Sequence, residues 1–347
     1  MTYVPRAAGV PRRMTVWALR DFGAADNFAR VETSVPALRP GHVLIRVAAT
    51  SVNPADLKIR DGRSAAIAPP APMVLHMDVA GTVVAVADDV DTLAPGDEVY
   101  GCAGGLRGIP GALADYMLAD ARLVAPKPRT LTMRDAAALP LVALSAWEAL
   151  RWKTRVALGD RVLVHGGTGG VGHITVQLAA ADGAEVTATV SSPQKARLAR
   201  ALGAAHVVDH RAERPEDYVA RLTGGRGFDV VVDTVGGDVL AASFAAARYN
   251  GTVVSVMTRG TIDLTPTLSK GLSLHAVFML LPLLTGQQRE RHGAMLREVA
   301  DLVDAGRLRP LLDPAAFTFD DVAAAHRHVE SGAHVGKVVL THPRMHS

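Results

Sequence analysis

The sequence contains almost no cysteine: Cys102 is the single one among 347 residues. A lone thiol excludes an intrachain disulfide and any metal site built from several thiolates. Because structural disulfides belong to oxidising compartments, the composition favours a reducing one, and we expect a cytoplasmic protein.

Long apolar runs and runs of one charge are also missing. The longest apolar segment, residues 272–284, contains His275 and Pro282 and is too short to span a bilayer. The net charge is only +3, and no dense run of Lys and Arg indicates a nucleic-acid surface. Residues 1–13 lack the apolar core of a signal peptide and predict a disordered extension. We expect neither a membrane nor a nucleic-acid partner.

A glycine-rich turn between a strand and a helix is the organising feature of the chain. Residues 161–172 read R-V-L-V-H-G-G-T-G-G-V-G, and a helical pattern follows. In a dinucleotide-binding G-x-G-x-x-G turn, successive glycines permit the tight turn, admit the pyrophosphate and let the helix pack on the strand. The amides at the helix start would hold the phosphates. The predicted phosphate-binding residues are Gly167, Gly169, Gly170, Val171 and Gly172. An ordinary glycine-rich turn is the alternative.

The hydrophobic period changes along the chain. Residues 14 to about 139 show short strands separated by turn signals, which is typical of a β-rich barrel. Strands then alternate with helices, which indicates a doubly wound parallel sheet. Six strands are predicted, at 162–165, 185–190, 206–208, 229–233, 252–257 and 273–279. Helices are predicted between them at 171–181, 194–202, 215–222 and 238–247.

The fold class predicted is α/β, with a Rossmann sheet inserted into a β-rich domain. From residue 287 onward the pattern returns to helix and then strand. We therefore assign 14–143 and 284–347 to a β-rich catalytic domain and 144–283 to a nucleotide-binding domain, after the extension 1–13.

The choice of dinucleotide is made at the end of the second Rossmann strand. An NAD-binding domain places an acid there for the ribose hydroxyls. Here the strand ends in Ser191 and Ser192, Lys195 follows, and Glu185 lies at the strand's beginning. Hydroxyls and a cation suit a 2′-phosphate, so NADPH is predicted. The alternative makes Ser192 a helix cap and Lys195 a solvated side chain.

A turn of small residues follows the fourth Rossmann strand. Asp233 and Gly236 lie in D-T-V-G-G, at the sheet edge where the ribose and nicotinamide should bind. A purely structural turn is the alternative.

Several motifs together resemble a known family, the medium-chain dehydrogenase/reductases, in their zinc-free branch of quinone oxidoreductases, zeta-crystallins and enoyl reductases. Besides the two glycine turns, they are S-V-N-P-A-D-L-K-I-R-D-G (51–62), D-V-A-G (78–81), G-D-E-V-Y-G (96–101), A-L-P-L-V-A-L-S-A-W-E-A-L (138–150) and G-K-V-V-L (336–340). The resemblance covers nearly everything from Met14 onward. It implies a GroES-like catalytic domain, and a homodimer formed where edge strands 273–279 pair across a two-fold axis.

The resemblance also bears on metal. Zinc-dependent members keep catalytic ligands and four structural cysteines, whereas this chain has Asn53-Pro54 where the first ligand would fall. We therefore expect no metal site, and hence no Lewis acid for alcohol oxidation.

Site residues follow from the same resemblance. It places Asn53, Asp56 and Lys58 beside the active site, with Asn53 on the nicotinamide ribose and Lys58 donating to an enolate or a phosphate. The remaining predicted cofactor contacts are Ser145, His210, Met257 and Phe278. Capping for Asn53 and Asp56, solvation for Lys58, and core packing for Met257 and Phe278 are the alternatives. The proton donor stays open, and water is one candidate.

The predicted function is an NADPH-dependent, zinc-independent reductase that transfers hydride to the activated C=C bond of an enone, enal or enoyl substrate. Its substrate should be a small, modestly apolar molecule. Quinone reduction is the alternative among enzymes. The alternative of another class is a non-catalytic NADPH-binding structural or sensor protein.

Overall fold

The structure is a computed structural model that describes residues 9–346. The chain forms two units. The first contains the chain up to Leu141, then Leu280–Gly306, and the chain from Leu312 onward. The second contains Val142–Met279 and Arg307–Leu311. Among the described residues, no helix is both long enough and apolar enough to cross a membrane.

The first unit is built mainly from β-strands. Its elements before the second unit are β1 (Arg13–Leu19), β2 (Phe28–Ser34), β3 (His42–Ser51), α1 (Pro54–Arg60), β4 (Met73–Val74), β5 (Asp78–Val86), β6 (Glu98–Cys102), β7 (Tyr116–Asp120), β8 (Val124–Pro126) and α2 (Met133–Ala136). The helix α3 (Pro140–Trp147) begins in this unit and continues into the second, with Pro140 at its first position, where the missing amide hydrogen does no harm.

The second unit alternates strands with helices. Its elements are β9 (Arg161–His165), α4 (Gly170–Ala181), β10 (Glu185–Val190), α5 (Pro193–Ala201), β11 (His206–Asp209), α6 (Pro215–Thr223), β12 (Phe228–Asp233), α7 (Asp238–Ala246), β13 (Ala247–Ser255), α8 (Thr265–Lys270) and β14 (Ser273–Ala276). The chain then returns to the first unit with α9 (Leu281–Thr285), α10 (Arg289–Asp304), β15 (Phe317–Thr318), α11 (Val322–Glu330) and β16 (Val339–Thr341).

The ten-residue strand β3 is the centre of the first unit. It pairs with β5, β7 and the C-terminal β16, all antiparallel, and most of its residues are buried. Since β16 pairs with the end of β3, the last strand of the chain lies next to the segment that leads into α1. A second sheet in this unit has the order β2-β1-β4.

The predicted extension ends earlier than residue 13. Arg13 pairs with Ser34 as the first residue of β1, and the amide of Val35 donates to the carbonyl of Arg12 at 3.1 Å. Residues 1–8 of the predicted extension lie outside the described part of the chain.

The second unit contains the six-stranded parallel sheet that the sequence predicts, in the order β11-β10-β9-β12-β13-β14. From β9 the next strands along the chain are added on one side, and from β12 they are added on the other. The boundary between β9 and β12 is therefore the topological switch point, where such sheets bind ligands. Two strands differ from the predicted bounds by more than one residue. β13 begins at Ala247 because that residue already pairs with Phe228, and β14 ends at Ala276, where its pairing with Ser255 ends.

A short returning segment completes the second unit. Gln177 on α4 donates from Nε2 to the carbonyl of Arg309 at 2.9 Å, and its Oε1 accepts from the Arg309 amide at 2.9 Å. The Arg309 guanidinium also donates to the carbonyl of Ala201. Residues 307–311 are therefore held by the nucleotide-binding unit, although they are distant from it in sequence.

Candidate active site

The glycine turn has no room for side chains at two of its positions. A Cβ on Gly172 would lie 2.0 Å from the carbonyl oxygen of Gly166, and one on Gly167 would lie 2.6 Å from the Cβ of Ala188. A Cβ on Gly169 would meet only the Gly166 oxygen, at 3.2 Å. Gly172 and Gly167 are thus needed for packing, whereas Gly169 leaves space beside the start of α4. The backbone can be approached closely there.

The start of α4 is suited to an anion. Gly169 precedes the helix and has no side chain to cap it, and α4 runs for 12 residues. The first-turn amides of a helix have no acceptor within it, and they carry its positive dipole end. This geometry fits the pyrophosphate of a dinucleotide, with Gly170 and Val171 presenting backbone amides, whereas the Gly169 amide donates to the Gly166 carbonyl at 2.9 Å.

Most of the other predicted cofactor residues lie at the carboxyl edge of the six-stranded sheet. Nearly all of them follow the carboxyl end of a parallel strand, and the exception, Ser145, is buried in α3. Those that follow strand ends are Ser191, Ser192 and Lys195 after β10, His210 after β11, Asp233 and Gly236 at the end of β12, Met257 after β13 and Phe278 after β14. Parallel register places these strand ends side by side.

The Asp233 side chain stabilises the turn that follows it. Its Oδ1 accepts from the amides of Val235 and Gly236 at 2.9 and 2.8 Å, and its Oδ2 accepts from the Ser255 hydroxyl at 2.8 Å. Gly236 has a φ of +81°, and a Cβ there would lie 2.5 Å from Met257. The buried Asp233 carboxylate therefore fixes the backbone of the turn that follows β12.

The end of β10 leads into Ser191 and Ser192, and the acid of this strand, Glu185, is its first residue. Glu185 pairs with His206 and Arg161 at the amino end of the strand, at the opposite edge of the sheet. The Ser192 hydroxyl accepts from the Lys195 amide at 3.2 Å, so Ser192 caps α5, as the alternative interpretation proposed. Asp209, which ends β11 beside Val190, is an acid near this edge that sequence reasoning missed; its Oδ1 accepts from the Arg211 amide.

His165 is a further residue that sequence reasoning missed. It ends β9 directly before the glycine turn, and its Nε2 is buried without a hydrogen-bond partner. Burial lowers its pKa to about 4, with the Asp233 carboxylate acting in the opposite direction and His210 adding to the decrease. The imidazole is therefore neutral at pH 7. The polar end of the apolar run V-L-V-H was the signal that could have identified it.

The first unit contains a buried polar cluster, formed by Asn53, Asp56, Asp78 and Lys337. The Lys337 Nζ donates to Asn53 Oδ1, and to the Val52 carbonyl and Asp78 Oδ2 at 3.1 and 3.4 Å. Asn53 Nδ2 in turn donates to Asp78 Oδ2 at 2.8 Å. An ammonium and a carboxylate are thus bridged by an amide, away from water.

Asp78 is fully bonded within this cluster. Its Oδ2 also accepts from the Ser51 hydroxyl at 2.7 Å, and its Oδ1 accepts from the Leu141 amide at 2.8 Å. The D-V-A-G and G-K-V-V-L motifs indicated the family, but the sequence did not predict Asp78 and Lys337 as members of a site.

Asp56 has an incomplete set of partners. Its Oδ2 accepts from the Asn53 amide at 2.8 Å, while its Oδ1 is buried with no hydrogen-bond partner. Burial raises the pKa of Asp56 to about 7; Asp78 acts in the same direction, and the Asn53 amide and Lys337 oppose it.

The predicted catalytic residues lie on or beside α1. Lys58 is half-buried on that helix, whereas Asn53 precedes it and is fully buried, with its amide facing Lys337 and Asp78. Asn53 thus supports the cluster in this structure, and its contact with a nicotinamide ribose stays a prediction.

Two family models match parts of the chain. Residues 39–129 match the alcohol dehydrogenase GroES-like domain, and residues 202–340 match a domain described as zinc-binding dehydrogenase. The chain is 35% identical over 342 residues to a 2-methylene-furan-3-one reductase from Solanum lycopersicum, covering 96% of this chain and 80% of that protein. It is 33% identical over 341 residues to a chloroplastic NADPH-dependent alkenal/one oxidoreductase from Arabidopsis thaliana, covering 96% and 81%.

A solved structure is similar along almost the whole chain. An alcohol dehydrogenase superfamily protein from Novosphingobium aromaticivorans has a TM-score of 0.90 and 41% sequence identity, covering 94% of this chain and 99% of that one. The six-stranded sheet and glycine turn give this chain a nicotinamide-cofactor domain. The chain belongs to the medium-chain dehydrogenase/reductases, an oxidoreductase family, in the branch that contains quinone and enoyl reductases.

Proposed function

We propose that this protein is an NADPH-dependent, zinc-independent reductase that transfers hydride to the activated C=C bond of an enone, enal or enoyl substrate. The observation that carries the proposal is the similarity, over 96% of the chain, to two reductases whose names specify conjugated carbonyl substrates. The second unit would hold the cofactor, and the first would supply the residues around the substrate.

Hydride transfer needs an acceptor in which the negative charge that forms can be delocalised onto a carbonyl oxygen. NADPH held by the second unit would supply the hydride for the β-carbon; the electron pair of the C=C bond would shift toward the carbonyl oxygen, and a proton would then be added at the α-carbon. The protein contributes alignment and hydrogen bonds to the developing enolate oxygen. We assign the hydrogen bond to the enolate oxygen to the Lys58 ammonium. Water is the proposed source of the proton at the α-carbon.

Residues near Asn53 do not fit a zinc ion. Zinc is held by thiolate, imidazole and carboxylate ligands. Asn53 supplies none of these, and the Lys337 ammonium bonds to both Asn53 and Asp78, so a dication would face a positive charge. The Cys102 thiol is buried, and burial raises its pKa well above the usual value. These side chains support a reaction without metal.

Selection of NADPH is proposed from the end of β10. Ser191, Lys195 and His210 offer a hydroxyl, a cation and an imidazole for a 2′-phosphate, and the nearest acid on β10 itself lies at its far end. A phosphate is bound well by such donors.

One assay tests the function. NADPH oxidation is followed with a panel of enones, enals, enoyl thioesters and quinones, using the purified chain and a Gly172→Ala control that should not bind cofactor. Turnover with conjugated carbonyl compounds is expected. Faster turnover with quinones would show that quinones, not conjugated C=C bonds, are the substrate class. Tight NADPH binding with no turnover on any acceptor would show a non-catalytic NADPH-binding protein.

A further inference from the structure

The buried cluster contains one cation and two carboxyl groups. Lys337, Asp78 and Asp56 are all almost completely inaccessible to water. Asp78 has four donors and takes the ammonium as its partner, which leaves Asp56 with the Asn53 amide alone. Because a buried charge without a counterion is strongly unfavourable, the cluster is balanced only when Asp56 carries a proton.

The ionisable groups that act on Asp56 from other elements are Asp78 on β5, Lys337 before β16 and the Cys102 thiol on β6, and Lys337 is the cation among them. α11 also packs on α1, but its Glu330 is paired with Arg60 and its His326 contacts His76.

We propose that Asp56 is a positioning residue, protonated in the active protein, whose ionisation disturbs Asn53 and α1 and thereby slows hydride transfer. This inference rests on the proposed function. Asp56 holds the Asn53 amide at the start of the helix that carries Lys58. A second carboxylate in the cluster would compete with Asp78 for the Lys337 ammonium, and so pull on the amide bridge of Asn53.

The pH dependence follows from the direction of the pKa shift. The pKa of Asp56 is raised to about 7, so the protonated form dominates below neutral pH and is lost as pH rises through that value. Activity should be greatest on the acid side. If the ionised form were inactive, kcat would fall about tenfold per pH unit above the pKa.

The experiment compares Asp56→Asn with Asp61→Asn. Asparagine keeps the shape and neutral charge of the protonated residue. Asp61 lies at the end of the same helix, and its pKa is lowered by Arg63, so its charge is constant over the range tested. We measure the ratio of kcat at pH 6 to kcat at pH 9 with saturating NADPH and acceptor, after circular dichroism has shown that each variant is folded. The ratio should be about tenfold or more in wild type and Asp61→Asn, and close to one in Asp56→Asn.

A measurement without turnover separates this inference from the proposed function. Infrared spectroscopy of the cofactor-free protein should show a protonated carboxyl band at pH 6 that is reduced in Asp56→Asn and disappears from wild type with a midpoint near the pKa. The inference is overturned if the band is unchanged in Asp56→Asn, or if that variant retains the alkaline loss of kcat. A chain that reduces no acceptor but shows the band would instead refute the proposed function alone.

Discussion

His76 and His326 lie with their Nε2 atoms 2.9 Å apart, so that a single proton must be shared between two buried imidazoles. Their rings are stacked, and both Nδ1 atoms are buried without partners. Burial lowers the pKa of His76 well below its usual value, and lowers that of His326 to about 3, where Arg60 adds to the effect. The pair is stable only while both rings are neutral.

This pair predicts acid sensitivity. Because the folded pKa values lie below that of an unfolded histidine, the unfolded chain binds more protons, and stability is complete above pH 6.5 and lost as pH falls toward 3. Each histidine contributes about 1.4 kcal/mol per pH unit in that window. Denaturant midpoints measured from pH 7 to pH 5 should decrease, and His326→Gln should reduce the slope. Half-buried His42, at the start of β3, provides the control, and an equal slope in His326→Gln and His42→Gln would contradict the prediction.

Lys270 should stabilise the second unit. Its ammonium donates to the carbonyls of Phe244, Ala245 and Ala247, at 3.0, 2.7 and 2.9 Å, where α7 ends and β13 begins. Lys270→Met leaves three carbonyls without this donor and should cost roughly 1–3 kcal/mol in the free energy of unfolding. Lys153→Met, which removes only a 3.8 Å pair with Glu148, is the matched control. Equal losses in urea titrations of the two variants would show that the three bonds contribute nothing specific.

The two glycines at the start of α4 should separate folding from cofactor binding. Gly172→Ala places a methyl group against the Gly166 carbonyl, and should lower the melting temperature as well as abolish NADPH binding. Gly169→Ala has more space and an ordinary φ of −78°, so it should melt near wild type yet bind NADPH at least about tenfold more weakly. Calorimetry and fluorescence titration give both quantities. If Gly169→Ala bound NADPH as tightly as wild type, the pyrophosphate would not bind at this turn.

Lys195 should discriminate between the two dinucleotides. If its ammonium contacts a 2′-phosphate, Lys195→Met weakens NADPH binding by about tenfold and leaves NADH binding unchanged. The exposed Arg197 on the same helix serves as control, through Arg197→Met. If Lys195→Met weakened NADPH and NADH binding equally, Lys195 would not contact the 2′-phosphate. Tight NADH binding by wild type would instead indicate that Asp209 binds the ribose hydroxyls.

The edge of the six-stranded sheet should form a dimer contact. β14 is the last strand in the sheet order, Ser273 and Ala276 are exposed on it, and Leu268 on the preceding helix is 87% exposed. Across a two-fold axis, identical strands meet, so Ala276→Glu would place like charges together. Sedimentation should show a dimer for wild type and for Ala66→Glu, a control in the first unit, and a monomer for Ala276→Glu. A monomeric wild type would contradict the expectation.

Elements with strong local signals could be predicted from sequence. The strands β9, β10 and β12 were located within a residue, because apolar runs bounded by glycine or aspartate are buried on both faces in a parallel sheet. The ends of β13 and β14 were not, since a neighbour's pairing decides where a strand stops.

The site was predictable only in its contiguous part. The glycine turn lies within a few residues of sequence, and its crowding at Gly172 follows from the motif. The cluster around Lys337 joins residues 284 positions apart through Asn53, and no local pattern encodes such a pairing. The neutral state of Asp56 depends on charge balance in three dimensions.

Excising the nucleotide-binding domain as one continuous piece would damage it. A fragment of residues 142–279 omits Arg307–Leu311, and with it both hydrogen bonds between Gln177 and the Arg309 backbone. The buried amide oxygen would lose its acceptor bond with Arg309, at a cost of about 1–3 kcal/mol. Any minimal cofactor-binding fragment should therefore carry these five residues on an engineered linker, or substitute an apolar side chain at position 177.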